Sequence, residues 1–384
     1  VKKEKNMNQG SDISRDAFML KGVLSKEGYD WWWHSFTAHN KKTGEEKAFF
    51  IEFFLINPAL GGDKPLFGLV DGKEGHSPSY LMVNVGTWGE KALQLHRFFG
   101  WSKVKVAKGV PFQIEADDCF LNEEETRGRV EVDEKENKKH PEWFSDSGTL
   151  IWDLKIHKLI PYNVGYGASK LLRDAAAFQM YWHAEGMKTE FEGTLKLDGE
   201  EYVVERKNSY GYADKNWGKD FTSPWLWLAS SHLISKKTGK ELTSSAFDIG
   251  GGRPKIGTIA LDRKLLGMFN YEGKEYEFNF SKFWTHTKTK FSFRETNEEA
   301  IWHVEQENLL SKMVSDIVCL KKGMILIRYE SPDGKMLHKH LNNGGNGKGT
   351  IKLYQKKVGK LILIDEITAL NVGCEYGEYE EEKK

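Results

Sequence analysis

Residues 211–218 read GYADKNWG, and TSPWLWL follows from Thr222. One carboxylate, Asp214, stands among glycines, an asparagine and tryptophans. A carboxylic acid in apolar surroundings loses the solvation of its charged form, so its pKa rises and it can stay protonated near neutrality. Such an acid can donate a proton to an alkene or enol. The resulting cation is shielded and stabilised by the π-faces of Trp and Tyr. Tyr212 and Asp214, two apart on an extended segment, point to one face, with Ala213 and Lys215 on the other. Asn216 can fix a carboxyl or substrate oxygen by hydrogen bonding, and Trp217 and Trp227 can wall a cavity. The competing reading is an Asx-type turn, in which Asp214 and Asn216 bond their own backbone.

A second cluster, QMYWHAEGMKTE, brings Trp182 and His183 together. His183 can serve as acid, base or orienting partner because its ordinary pKa lies near physiological pH. Its alternative is a satisfied, half-buried histidine. YDWWWHSF is the third. Three consecutive tryptophans cannot share one face of a strand, so both faces are covered there, and Trp32 or His34 can line a pocket. His96 and Arg97 alternate within an apolar strand and read as structural. His338 and His340 form an HxH without a third ligand nearby, so no metal is expected. GGGRPKIG and NNGGNGKG lack the context of phosphate loops and read as turns or loops, and no cofactor is signalled.

The elements that must position these residues are strands. Phe112–Glu115, Arg129–Val132, Thr194–Leu197, Phe291–Arg294 and Ile351–Tyr354 alternate with period two. Turn signals separate such segments, among them Thr43-Gly44, Asp198-Gly199, Glu272-Gly273, Asp333-Gly334 and Asn343-Gly344-Gly345. Many short strands joined this way predict an antiparallel sandwich or barrel. A single short helix is expected over Ser169–Phe178. Shifting the chain by 195 positions superposes Trp32 on Trp227, and Lys41-Lys42-Thr43-Gly44 on Lys236-Lys237-Thr238-Gly239. This echo predicts two similar β domains, 16–210 and 211–374, between a disordered segment 1–15 and a charged tail 375–384.

Net charge is zero, from 56 basic and 56 acidic residues. A general attraction to nucleic acid or anionic membrane is therefore not expected. Aromatic residues make up 13% of the chain, which suits pleated sheets and pockets for apolar or ring-bearing ligands. Three scattered cysteines argue against a disulfide framework. No stretch is long and apolar enough for a signal peptide or membrane helix, so no stable membrane insertion and a cytoplasmic location are expected.

The run Tyr212 to Gly218, with Trp225 and Trp227 after it, resembles a signature of the tocopherol cyclase-like family. Related versions occur in the wider lipocalin-like superfamily of carotenoid 1,2-hydratases, AttH-type proteins and fungal Diels–Alderases. WWWHSF, PSYLMVNVGTWGEKALQLHRFFGW, NVGYGASK and YWHAEGMKTEFEG extend the resemblance from Phe18 to about Cys374. It implies two lipocalin-like barrels and cofactor-independent acid chemistry on isoprenoid carbon: proton-initiated ring closure in the cyclases, water addition in the hydratases. It also implies functional roles for Tyr212 and Asp214. The hydratase His and Trp stand upstream as HxW, whereas here the region reads Tyr181-Trp182-His183. The expected partner is a small hydrophobic molecule, isoprenoid or aromatic, that the protein cyclises, isomerises or hydrates. The rival expectation is a non-catalytic lipocalin-like carrier, in which Asp214 faces solvent or caps a turn.

Overall fold

The computed structural model describes residues 11–378 apart from 71–72, 75, 165–178, 254, 257–258, 261–263, 336–337, 339 and 359. The helix expected over Ser169–Phe178 lies outside the described residues. The α-helix that is described, Glu134–Lys139, was not expected from the sequence. Asp133 caps it by accepting from the backbone N–H groups of Lys135 and Glu136. Among the described residues no helix is long and apolar enough to cross a membrane.

The chain forms two lipocalin-like antiparallel barrels. Across the first sheet the strands run Leu93–Phe99, Tyr80–Thr87, Glu46–Ile56, Tyr29–Asn40, Glu200–Val204, Met180–Leu197, Gly148–Tyr162, Glu125–Val132, Cys119–Asn122, Gln113–Ala116 and Val104–Val106. Across the second they run Lys274–Phe278, Lys264–Tyr271, Ala246–Gly252, Trp225–Ser230, Lys360–Gly377, Leu341–Lys357, Ser311–Leu320, Glu299–Glu307 and Lys288–Glu295. Cross-sheet bonds join strands toward opposite ends of each sheet. Arg97 Nη1 donates to the Arg129 carbonyl at 2.9 Å in the first, and Gln306 Nε2 to the Leu265 carbonyl at 3.3 Å in the second.

The turn predicted by the echo recurs bond for bond. The Gly44 N–H donates to the Asn40 carbonyl, and the Gly239 N–H to that of Ser235, both at 2.8 Å. The Thr43 and Thr238 N–H groups each donate at 3.1 Å to the side chain three residues back, Asn40 and Ser235. Lys41 pairs with Glu201, and Lys236 with Glu366, on the neighbouring strand of each barrel. The tryptophan match does not survive. Trp32 faces the first barrel's core, whereas Trp227 faces the other barrel. The strand carrying Trp227 breaks at Ser231, opposite a partner strand where Asn371 has φ 45°. Alternation changes phase there, so Leu226, Leu228 and Leu233 all enter the second core.

Three expected boundaries move. The Gly211–Gly218 strand pairs with Tyr29–Asn40 and Met180–Leu197, so the chain leaves the first sheet after Gly218, not before Gly211. The C-terminal strand runs through Gly377, and Glu375, placed in the tail by sequence, is half-buried and accepts from Trp225 Nε1 at 2.7 Å. At the other end Ile13–Arg15 form a 3-10 turn, the Asp12 N–H donates to Asn163, Arg15 donates to the Val164 carbonyl, and Asp16 is buried. These contacts hold residues that were expected to be disordered.

Each barrel has its own core, and a third apolar cluster joins them. Glycines read as turns shape that junction. Gly344-Gly345 lie inside the Leu341–Lys357 strand, and Gly250 to Gly252 end the Ala246–Gly252 strand. A Cβ at Gly250 would lie 2.7 Å from the Trp182 ring, and one at Gly345 2.1 Å from the Trp88 ring. Two indoles of the first barrel are thus seated against bare backbone of the second. A buried indole removes roughly 150–250 Å² from water, an upper estimate of about 4–6 kcal/mol. The glycines make that close approach possible.

Candidate active site between the barrels

Alternation divides the Gly211–Gly218 strand as its sequence requires. Asp214 lies opposite Trp33, and Asn216 opposite Trp31, on the face turned to the second barrel. Asn216 Oδ1 accepts from Tyr29 Oη at 2.8 Å. Neither residue forms the Asx turn of the competing reading, because both are buried inside a regular strand.

Trp182 Nε1 donates to Asp214 Oδ2 at 2.8 Å, and Tyr212 Oη lies 3.3 Å from the same oxygen. Tyr212 Oη also lies 3.0 Å from Asp248 Oδ2, on the Ala246–Gly252 strand of the second barrel. Among the described residues, Asp214 Oδ1 and Asp248 Oδ1 are buried without a hydrogen-bond partner. The Trp227 ring packs 5.0 Å from Tyr212, and its N–H approaches Asp248 and Tyr212 but meets neither with hydrogen-bond geometry. Trp182 meets Tyr162 and Trp225 edge-on.

Burial dominates the electrostatics. Loss of solvation pushes the Asp214 carboxyl well above its ordinary range, with the Trp182 hydrogen bond opposing and the charges of Glu185 and Glu375 adding. Asp248 is raised by burial and then by Asp214. The Tyr212 phenol is raised by burial and by both aspartates, so it stays neutral.

The polar row continues across the first sheet, where Asn84, Glu52, Trp33 and Asp214 occupy opposed positions on four neighbouring strands. Glu52 accepts from Tyr329 Oη at 2.7 Å and from Asn84 Nδ2 at 3.0 Å. Burial lifts it to about 7, and Glu375 is lifted to about 7 in the same way. Asp248, Glu52 and Glu375 were not singled out in the sequence. The signal that marks the first two is a lone acid in an apolar strand, AFDIG and FFIEFFL.

The structure does not bring the other expected residues to Asp214. Trp32, His34, His183 and Trp217 are corrected to the opposite face, because they alternate with Trp31, Trp33, Trp182 and Asn216. His183 ring nitrogens lie 2.8 Å from Asp16 Oδ1 and 3.1 Å from Asn163 Oδ1, and burial lowers its pKa to about 3. His34 is fully buried, with a pKa lowered by burial to about 3. Lys215 pairs with Asp30 and sits 3.5 Å from the Trp32 ring centroid, with Trp217 beyond it stacked on Tyr181. Carboxylate oxygens of Asp16, Glu123 and Glu185 gather within 4.8 Å of one another. Lys158 Nζ bonds Glu123 at 2.6 Å and pairs with Glu185 at 2.5 Å, so the cation among them is the lysine.

The chemistry available on the junction face is that of an acid held well above its ordinary pKa by burial, among indoles and phenols. The profile of the tocopherol cyclase-like family matches residues 171–378, just over half of the chain. The chain belongs to the tocopherol cyclase-like family. That match contains Trp182, Tyr212, Asp214, Trp227 and Asp248. Among solved structures, the chain is similar to a putative AttH from Nitrosomonas europaea, with 11% identity, 94% of this chain and 96% of that one covered, and a TM-score of 0.45. It is similar at 11% identity to kievitone hydratase from Nectria haematococca, with 96% and 95% covered and a TM-score of 0.47. CghA is likewise 11% identical, with 93% and 90% covered and a TM-score of 0.47. No curated protein matches the chain.

Proposed function

We propose that this protein is a cofactor-independent acid catalyst that cyclises, isomerises or hydrates an unsaturated, hydrophobic, isoprenoid or aromatic molecule. Asp214 is the proton donor, and among the described residues no group bonds its Oδ1 atom. Tyr212 and Trp182 hold the other carboxyl oxygen, and Trp227 walls the site from the second barrel. Asn216 sits one pleat away as an oxygen-orienting group, with Nδ2 buried and unbonded. The observation that carries this reading is the burial of Asp214 among indoles. A carrier has no use for an acid there and is served by a solvent-facing or turn-capping Asp214.

The test uses purified protein in deuterated water with a panel of prenylated phenols and polyenes, read by mass spectrometry for ring closure, hydration or deuterium incorporation. General acid catalysis contributes roughly 10²–10⁴-fold. The Asp214→Asn variant is therefore expected to lose at least about 100-fold in turnover while it retains ligand binding. Full activity in that variant rules the assignment out.

A further inference from the structure

One hydrogen atom cannot satisfy the geometry around Tyr212. Its hydroxyl oxygen lies 3.3 Å from Asp214 Oδ2 and 3.0 Å from Asp248 Oδ2, and a phenol carries a single O–H. If both aspartates were ionised, one of the two contacts would set oxygen against oxygen with no proton between, in a fully buried place. Two negative charges bridged by one atom are not sustained without solvent. A second proton removes the conflict: one carboxyl donates to Tyr212 Oη while Tyr212 donates to the other.

We propose that Asp214, Tyr212 and Asp248 share two protons and one negative charge, and that Asp248 is the positioning residue that supplies the shared proton to Asp214 through Tyr212. The inference rests on the reading of Asp214 as donor. While the shared carboxyl proton rests on Asp248 and Asp214 is ionised, the Tyr212 O–H passes its proton to Asp214 Oδ2 as the Asp248 O–H passes its own to Tyr212 Oη. The phenol ends as it began, Asp214 is neutral and armed as donor, and Asp248 carries the one negative charge. No electrons move and no co-reactant is needed; the reverse transfer follows when product chemistry returns a proton. The two acids stand on different barrels, so the relay exists only when the barrels are docked.

Other charged groups bear on the pair. Glu185 and Glu375 act on Asp214, and Tyr162 and Trp227 lie beside Asp248. The test is therefore a difference between variants of the full chain carrying ¹³C-carboxyl aspartate, titrated by NMR or infrared spectroscopy without substrate. In wild type the two aspartates are expected to retain one proton between them at neutral pH and to titrate as a coupled pair. In Asp248→Asn the new amide donates to Tyr212, the phenol gives its only hydrogen to Asp214, and the repelling charge is gone. Asp214 is then expected to titrate lower by about one unit or more. Tyr212→Phe removes the hydrogen that Asp248 accepts, leaves Asp214 the Trp182 N–H alone, and raises the retained count above one proton.

An Asp214 titration unmoved by Asp248→Asn overturns the proposal, as does a proton count unmoved by Tyr212→Phe. Should Asp248→Asn fail to fold, the Tyr212→Phe count alone decides. These readouts need no turnover. A failed relay with an inactive Asp214→Asn refutes the sharing alone, whereas an active Asp214→Asn refutes the catalytic reading and leaves the titrations standing.

Discussion

Replacing Glu52 with Gln separates the cost of ionising the junction from the cost of disrupting it. Glu52 is fully buried, with a pKa lifted by burial from 4.5 to about 7, while hydrogen bonds from Tyr329 and Asn84 pull the other way and the Glu375 charge adds to the rise. A folded-state pKa above the unfolded value means that the native protein holds the proton longer. Stability from this group is therefore full below the unfolded pKa and is lost as pH rises through the folded one. Each unit is about 1.4 kcal/mol, so the wild type carries a penalty of about 1 kcal/mol at pH 5 and about 3 kcal/mol at pH 8.5. Glutamine cannot ionise, and it fits the existing bonds. Its oxygen accepts from Tyr329, and rotation of the Asn84 amide presents Oδ1, now unpartnered, to the new amide N–H. Glu52→Gln is expected to be close to neutral at pH 5 and clearly stabilising at pH 8.5. Urea unfolding at the two pH values, read by Trp fluorescence, measures this. A variant no more stable than wild type at pH 8.5, or a difference that does not widen with pH, refutes the argument.

Two other substitutions probe the same architecture. Gly250→Ala places a methyl 2.7 Å from the Trp182 ring. It is expected to cost about 1–3 kcal/mol by overpacking and to change the near-ultraviolet circular dichroism as the indole leaves Asp214. Unchanged spectra and stability mean that the indole seat is not tight. Lys158→Met removes the cation that Glu123, Glu185 and Asp16 share; those charges hold the lysine protonated although burial opposes it. Breaking a buried pair costs roughly 3–5 kcal/mol, and here the loss grows with pH. Glu185 and Asp16, already lifted by burial to about 8 and about 7, escape the penalty at low pH by protonating, and neighbouring His34 and His183 stay neutral. Thermal melts from pH 5 to 9 that show a pH-independent loss contradict this account.

Much of the architecture is legible in the residues taken in order. Period-two alternation and paired turn residues define antiparallel strands. The repeated Lys-Lys-Thr-Gly marks one hairpin in each barrel, because the same backbone bonds need the same residues. Alternation also settles, without a structure, that Tyr212, Asp214 and Asn216 share a face that Lys215 does not. What alternation cannot reveal is where its phase changes. The break at Ser231 turns Trp227 away from the face that Trp32 occupies, so the sequence match there misleads. Nor can a local pattern show which strand lies across from Asp214. GGGRPKIG and NNGGNGKG look like turns until Trp182 and Trp88 are found seated on their glycines. Asp248 is an unremarked acid in AFDIG until Tyr212 meets it from the other barrel. The acid's type and facing direction belong to the sequence, since they follow from the pleat of one strand. Its raised pKa and its partner belong to the docking of two barrels, since only tertiary burial removes water and brings a second carboxyl to the same phenol.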